Sequence, residues 1–350
     1  MAVSCQTIIN VIEKIAPKRS AEEWDNVGLQ IGSPAQQVSC VFLSLDLNEA
    51  ILEEALEAGA DMLVVHHTPF FKPVKHIRTD LPQGRLLSKI IQHGLALYAA
   101  HTNLDAVTGG VNDVLAQKLG LEQVELLTEN WEGKLYKLVV FIPADYTEKV
   151  SDAIAKAGAG WIGNYAHCTF RTNGTGTFLP LAGTNPFIGA EGKLTRVEET
   201  RLETIIPEDR VNRVLKAMLK AHPYEEVAYD LYPLVNSGAK TGLGRIGLLP
   251  QALSLQGFIK LVKGRLSLPF VRYCGDLEKS VEKVAVCGGS GASLLGRAAF
   301  LGADVYLTAD VKYHEAQEAQ ALGLALVDGG HFGTEQPVIA VLAAQLREAM

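Results

Sequence analysis

The chain has no basic excess: 32 Lys and Arg stand against 39 Asp and Glu, a formal net charge of −7. A phosphate backbone is neutralised by clustered Lys and Arg, so nucleic acid is not a favoured partner. No apolar run approaches the ~18–20 residues that span a bilayer, so a membrane is not expected as a partner either. The first twenty residues carry Glu13 and Lys14 inside their apolar pattern. No basic stretch precedes that pattern and no cleavage site follows, so it reads as an amphipathic helix rather than a signal peptide. Cysteine is scarce, with five residues (Cys5, Cys40, Cys168, Cys274, Cys287), scattered and without C-x-x-C. That usage points to a reduced, cytoplasmic protein with mostly buried thiols. No serine sits in a G-x-S-x-G elbow and no cysteine in a nucleophile motif. What is present is a chain of 350 residues, 48% hydrophobic and 20% charged. That length suits two domains, and the composition excludes intrinsic disorder.

The pattern from 38 to 105 alternates short apolar runs with helical spacing. Strands are expected over 41–45, 62–65 and 95–100, with helices over 48–58 and 84–93. Such alternation argues for a parallel sheet covered on both faces. The pattern returns downstream, with strands over 284–287 and 305–308 and a helix over 293–301. At a constant offset of 243 residues Val41 meets Val284, and Gly59-Ala-Asp61 meets Gly302-Ala-Asp304. Further on, Gly94-Leu-Ala-Leu97 parallels Gly323-Leu-Ala-Leu326, and after one extra residue His101-x-x-x-Asp105 parallels His331-x-x-x-Glu335. The expected fold is α/β, with two related halves forming one domain over 1–127 and 236–350. Between them, 128–235 reads as a ferredoxin-like α+β insert. Its strands are expected over 137–142, near 167–172 and 176–180, over 195–206 and over 227–231. Its helices are expected over 147–157 and 208–221. Asn130 and the segment from Asn236 mark plausible hinges.

The candidate ligands stand just past the ends of expected strands, where open parallel sheets place their sites. His66 and His67 end one strand, His101 and Asp105 another, and His331 and Glu335 follow a third. Imidazole and carboxylate without thiolate suit Zn²⁺, Fe²⁺ or Mn²⁺. His66, His67, Asp105, His331 and Glu335 are enough donors for two divalent ions, with Glu335 able to bridge. Two ions ~3.5–4 Å apart share a bridging water and lower its pKa towards 7, which suits hydrolysis. His101 is read as a hydrogen-bonding partner of the ligands or a general acid, with a backbone-tied histidine as the alternative. His314 either lines the same pocket as a second catalytic candidate or begins a helix. Gly288-Gly-Ser-Gly291 either cradles a phosphate or is a tight strand-to-helix turn.

These residues resemble those of the GTP cyclohydrolase I type 2 homologue family, the Nif-three-like dinuclear metal proteins. The matching pieces are Trp24-Asp-Asn-Val-Gly-Leu-Gln-Ile-Gly32, His66-His-Thr-Pro-Phe-Phe71, His101-Thr-Asn-Leu-Asp105, Thr308-Ala-Asp-Val-Lys-Tyr-His314 and Asp328-Gly-Gly-His-Phe-Gly-Thr-Glu335. Within the insert, Gly174-Thr-Gly-Thr-Phe178, Asn185-Pro-Phe-Ile-Gly189 and His222-Pro-Tyr-Glu-Glu-Val-Ala-Tyr-Asp230 resemble the PII-like, or CutA-like, domain of the longer bacterial members. Thr68 stands where the family commonly has proline and Ala309 where it has glycine. The resemblance implies that His66, Asp105 and Glu335 hold one ion and His67, His331 and Glu335 the other. It also implies a toroidal homohexamer with the metals facing an internal cavity. Opening the ring of GTP needs cations for a triphosphate, and Lys72, Lys75 and Arg78 either serve so or belong to a solvated loop. Two functions stay open. One is a metal-dependent hydrolase of a nucleotide or phosphoester; the other is a non-catalytic metal-binding or regulatory protein whose insert senses a ligand or gates the cavity.

Overall fold

A computed structural model describes residues 2–350. The chain divides into two compact units, 1–131 with 241–350, and 132–240. Each junction falls a few residues beyond the expected one.

The first unit begins with helix α1 (Cys5–Ile15), whose first turn is capped by the Ser4 side chain accepting from the Thr7 amide. Strand β1 (Gly28–Ile31) follows, then β2 (Val41–Ser44), helix α2 (Glu49–Glu57), β3 (Met62–Val65), helix α3 (Pro82–Gln92) and β4 (Ala96–Ala99). The sheet order is β1-β4-β3-β2; β2, β3 and β4 run parallel and β1 antiparallel. The short helix α4 (Thr102–Ala106), helix α5 (Val111–Leu119) and strand β5 (Glu122–Leu126) close this half. Strands β3 and β4 are buried on both faces, as continuous apolar runs in a covered sheet should be. Met62, Val64, Ala96 and Tyr98 pack with α1, α5 and the chain's last helix. Leu63, Val65, Leu97 and Ala99 pack with α2 and α3 on the opposite face.

The second unit reads β6 (Leu135–Pro143), α6 (Thr147–Lys156), β7 (Thr169–Phe178), β8 (Thr195–Pro207), α7 (Val211–Ala221) and β9 (Tyr229–Leu234). The strands pair antiparallel in the order β7-β8-β6-β9, the ferredoxin-like arrangement. Leu138, Val140, Ile142 and Leu202 bury the sheet's inner face under Val150, Ile154, Val214 and Met218 of the two helices. One expectation is corrected here. The two short strands expected near 167–172 and 176–180 are one strand, β7, paired with β8 over its whole length. Gly174 and Gly176 suggested a turn but lie in extended pairing. At Gly176 a Cβ would come within 2.0 Å of Glu199 Oε2, so the glycine makes room for that carboxylate.

The rest of the first unit follows with β10 (Arg245–Ser254), α8 (Leu255–Arg265), β11 (Arg272–Cys274), β12 (Ser280–Val286), α9 (Leu295–Phe300), β13 (Val305–Thr308), α10 (Tyr313–Ala321), β14 (Ala325–Asp328), α11 (His331–Glu335) and α12 (Pro337–Ala349). The six-stranded sheet runs β11-β14-β13-β12-β10-β5, with β12, β13 and β14 parallel. This half repeats the first in pairing register. Val41 pairs with Met62 and Met62 with Ala96; Val284 pairs with Val305 and Val305 with Ala325. Asp61 Oδ2 accepts from the Ser39 and Cys40 amides, and Asp304 Oδ2 accepts from those of Glu282 and Lys283. All five cysteines are free thiols; Cys5 and Cys287 are buried and the other three half-buried, fewer than the composition suggested.

Candidate metal centre

The pairing of β3 with β2 continues past its last residue. The His66 amide donates to Ser44 O at 3.1 Å and the His67 amide to Leu45 O at 2.9 Å. The extended backbone sends the two rings different ways. His66 is buried and His67 half-buried, with ring centroids 4.9 Å apart. Helix α4 carries Asp105 one turn beyond His101. Helix α11 begins at His331 and places Glu335 four residues on, on the same face.

These three strand ends meet. Glu335 Oε2 lies 3.0 Å from His67 Nε2 and 3.2 Å from His331 Nε2, and its Oε1 lies 3.8 Å from His66 Nε2. Asp105 Oδ1 is 3.5 Å from the same His66 nitrogen. Two groups of donors result, His66–Asp105–Glu335 and His67–His331–Glu335, each with its ligand atoms within 4.8 Å of one another. Glu335 belongs to both. A third group, His66–His67–His101, brings His101 to the same place.

Three buried atoms at the centre, His66 Nε2, Asp105 Oδ1 and Glu335 Oε2, make no well-directed hydrogen bond among the described residues, although two ring nitrogens stand 3.0 and 3.2 Å from the last. Buried polar atoms left so are costly, and a cation between them satisfies all three. Nitrogen and carboxylate oxygen are the donors divalent transition ions accept, so the residues fit a metal. The electrostatics agree. Burial pushes the Asp105 carboxyl up to about 6, with the Glu335 charge adding, against the pull of His66. Glu335 goes the other way: burial raises it, but the three histidines around it hold it well below the usual carboxylate range. Burial depresses His66, yet the Asp105 and Glu335 charges outweigh it and lift the ring to about 9. Protons thus occupy what a divalent cation would take over.

The outer nitrogens are also held. His66 Nδ1 lies 2.8 Å from Ala100 O, His67 Nδ1 2.7 Å from Asp46 Oδ1, and His331 Nδ1 2.6 Å from Asp310 Oδ2. Each ring therefore turns Nε2 to the centre, as carboxylate-oriented metal histidines do. His101 Nδ1 meets Asp25 Oδ2 at 3.0 Å. That oxygen also accepts from the Thr102 amide and hydroxyl, at 3.0 and 2.5 Å. Burial raises Asp25, but these bonds from His101 and Thr102 prevail and bring it down to about 2. A cavity of about 710 Å³ opens over the cluster, walled by Trp24, Phe71, His101 and Phe332.

Two further expectations are decided by position. His314 is exposed on α10, its Nδ1 against Gln317 Oε1, and does not line the cavity. It lies in the first turn of a helix, where it faces Gln317 one turn on. Gly288-Gly-Ser-Gly291 is the tight turn. The Gly288 amide donates to Asn112 Oδ1, that of Gly289 to Thr334 Oγ1 and that of Gly291 to Thr308 Oγ1. No donor of these three is left for a phosphate. Gly289 is required for another reason: a Cβ there would come within 2.1 Å of Glu335 Oε1. Lys72, Lys75 and Arg78 are exposed and do not line this cavity.

Residues 3–350 match the family described as Duf34/NIF3 (NGG1p interacting factor 3). The chain belongs to the Duf34/NIF3 family. Among similar Duf34/NIF3 relatives, a Halalkalibacterium halodurans protein named GTP cyclohydrolase 1 type 2 homolog is 48% identical over 93% of this chain and 88% of its own. A Bacillus subtilis protein of the same name is 46% identical over 95% and 89%. A Bacillus cereus protein related to NIF3 superposes with a TM-score of 0.94 at 45% identity, covering 99% of this chain and 93% of that one. The carboxylates that orient the rings of this Duf34/NIF3 chain, Asp25, Asp46 and Asp310, were not singled out from sequence. A signal existed for Asp310, which is His67 shifted by the repeat offset of 243.

Proposed function

We propose that the chain holds two divalent metal ions, one on His66, Asp105 and Glu335 and one on His67, His331 and Glu335, and hydrolyses a nucleotide or phosphoester. The observation that supports this reading is Glu335. One buried carboxylate faces three imidazoles from two strand ends, with His67 Nε2 and His331 Nε2 at 3.0 and 3.2 Å from its Oε2. Two such ions supply Lewis-acid activation of water and of the substrate's phosphoryl or carbonyl oxygen. The chain's own residues do the rest. Asp46 and Asp310 fix the rings of His67 and His331. Asp25 holds His101 by one nitrogen, which leaves the other for a proton at the cavity wall. Trp24 and Phe71 shape the space beside it for an apolar or planar part of the substrate. The same reading takes 132–240 as a PII-like element, the assembly as a homohexamer and the compartment as the cytoplasm.

The experiment is a turnover screen of protein loaded with Zn²⁺, Fe²⁺ or Mn²⁺ against nucleotides and generic phosphoesters, with His67→Ala as control. Metal-dependent release of phosphate or opening of a base, abolished in the variant, is the expected result. Two bound ions with no turnover on any of these substrates would overturn the hydrolase and leave a metal-binding protein.

A further inference from the structure

The 132–240 unit has a cavity of its own, of about 280 Å³, beneath the loop that joins β7 to β8. Its lining includes the aromatic residues Phe178, Phe187 and Tyr224 and the acids Glu199, Glu225 and Glu226. Among the described residues no Lys, Arg or His lines it. The rings pack on one another into one wall: Phe178 meets Tyr224 edge-on at 5.9 Å between centroids, and Phe187 meets it tilted at 6.4 Å.

Two of the acids, Glu199 and Glu225, are held in place. Tyr224 donates its hydroxyl to Glu199 Oε1 at 3.1 Å. The Asn185 amide donates to Glu225 Oε1 at 3.0 Å, tying the loop down over the cavity. Gly176 leaves the gap that the other Glu199 oxygen occupies. Glu199 is half-buried, and none of the three acids forms an ion pair among the described residues. A partly desolvated carboxylate without a cation, facing aromatic rings, is the environment that recognises an ammonium group: the ring quadrupoles and the carboxylate attract the same charge. The same wall repels phosphates and carboxylic acids.

We propose that this cavity is a binding site for a small organic ammonium ion, seated against the aromatic wall of Phe178, Phe187 and Tyr224 with its charge towards Glu199. The site is separate in composition from the histidine cluster and needs none of its residues.

The test is calorimetric titration of the full chain with choline. As a neutral probe of the same shape, 3,3-dimethylbutan-1-ol is titrated in parallel. Saturable choline binding is expected, with the alcohol at least about tenfold weaker, the equivalent of about 1.4 kcal/mol. Glu199→Gln should weaken choline by a similar factor, and Phe187→Ala, on the exposed loop, should do so without lowering the melting temperature. His67→Ala should leave choline binding unchanged. Equal affinity for the neutral alcohol, indifference to Glu199→Gln, loss of binding in His67→Ala, or no saturable heat in the millimolar range would each overturn the proposal.

Discussion

The two halves of the first unit are built alike and equipped differently. Their parallel strands share one pairing register, and Asp61 and Asp304 make the same pair of backbone hydrogen bonds. Yet where the first half ends its central strand in His66-His67, the second has Ala309-Asp310. The first half supplies two histidines and Asp105; the second supplies His331, Glu335 and, in Asp310, a carboxylate that orients a ligand. A repeat of scaffold therefore does not entail a repeat of site. The strand ends converge because the backbone is duplicated.

The comparison can be broken at several points, the hardest blow first. Glu335→Ala removes the one donor common to both groups, and metal analysis is expected to find neither ion retained. Two ions kept in that variant would remove the bridge. Asp105→Ala touches only the first half's contribution, so one ion should be lost and the His67–His331–Glu335 group keep the other. Equal loss of both would mean that the halves act as a single site. Asp310→Asn and Asp46→Asn leave the ligands in place but loosen a ring. Each is expected to weaken metal binding by about 10–100-fold, measured by competition with a chelator. An unchanged affinity would make these carboxylates ornaments of the surface.

A smaller effect concerns acid stability. Asp25 is held at about 2 against an ordinary 3.8. Its folded value is depressed, so its contribution is present above its unfolded pKa and lost as pH falls through about 2. That shift is worth about 2 kcal/mol. Urea unfolding of Asp25→Asn should show lower stability at pH 6 and a flatter decline between pH 4 and 2. A decline as steep as the parent's would place the acid sensitivity elsewhere. Least of all should come from replacing 132–240 by a short linker, which is expected to leave metal content unchanged. A metal-free or insoluble product would make that unit part of the core.

Much of this was legible in the residues. The central strands are short apolar runs whose two-sided burial needs no alternation, and the repeat offset located the second set. The five candidate donors that the fold brings together were legible because histidine and carboxylate at a strand end have few structural uses. His314 was ambiguous, since a strand-end motif does not say how far the following backbone turns. Gly176 misled because a glycine that makes room for Glu199 and a glycine that turns the chain look identical in sequence.

By itself, then, the order of residues determined the α/β alternation, the two related halves and the donor set at the ends of β3, β4 and β14. These are local properties, carried by periodicity and residue type. Only the tertiary structure decided which carboxylate serves which ring, for Asp25 reaches His101 across 76 residues and Asp310 reaches His331 across 21. It alone decided that the amides of the Gly288 turn are spent on Asn112, Thr334 and Thr308. It alone packed the last helix, through Val338 and Leu342, against the first half's sheet. Such pairings depend on where distant segments meet, and the energy that selects them is shared by the whole core rather than written in any one stretch.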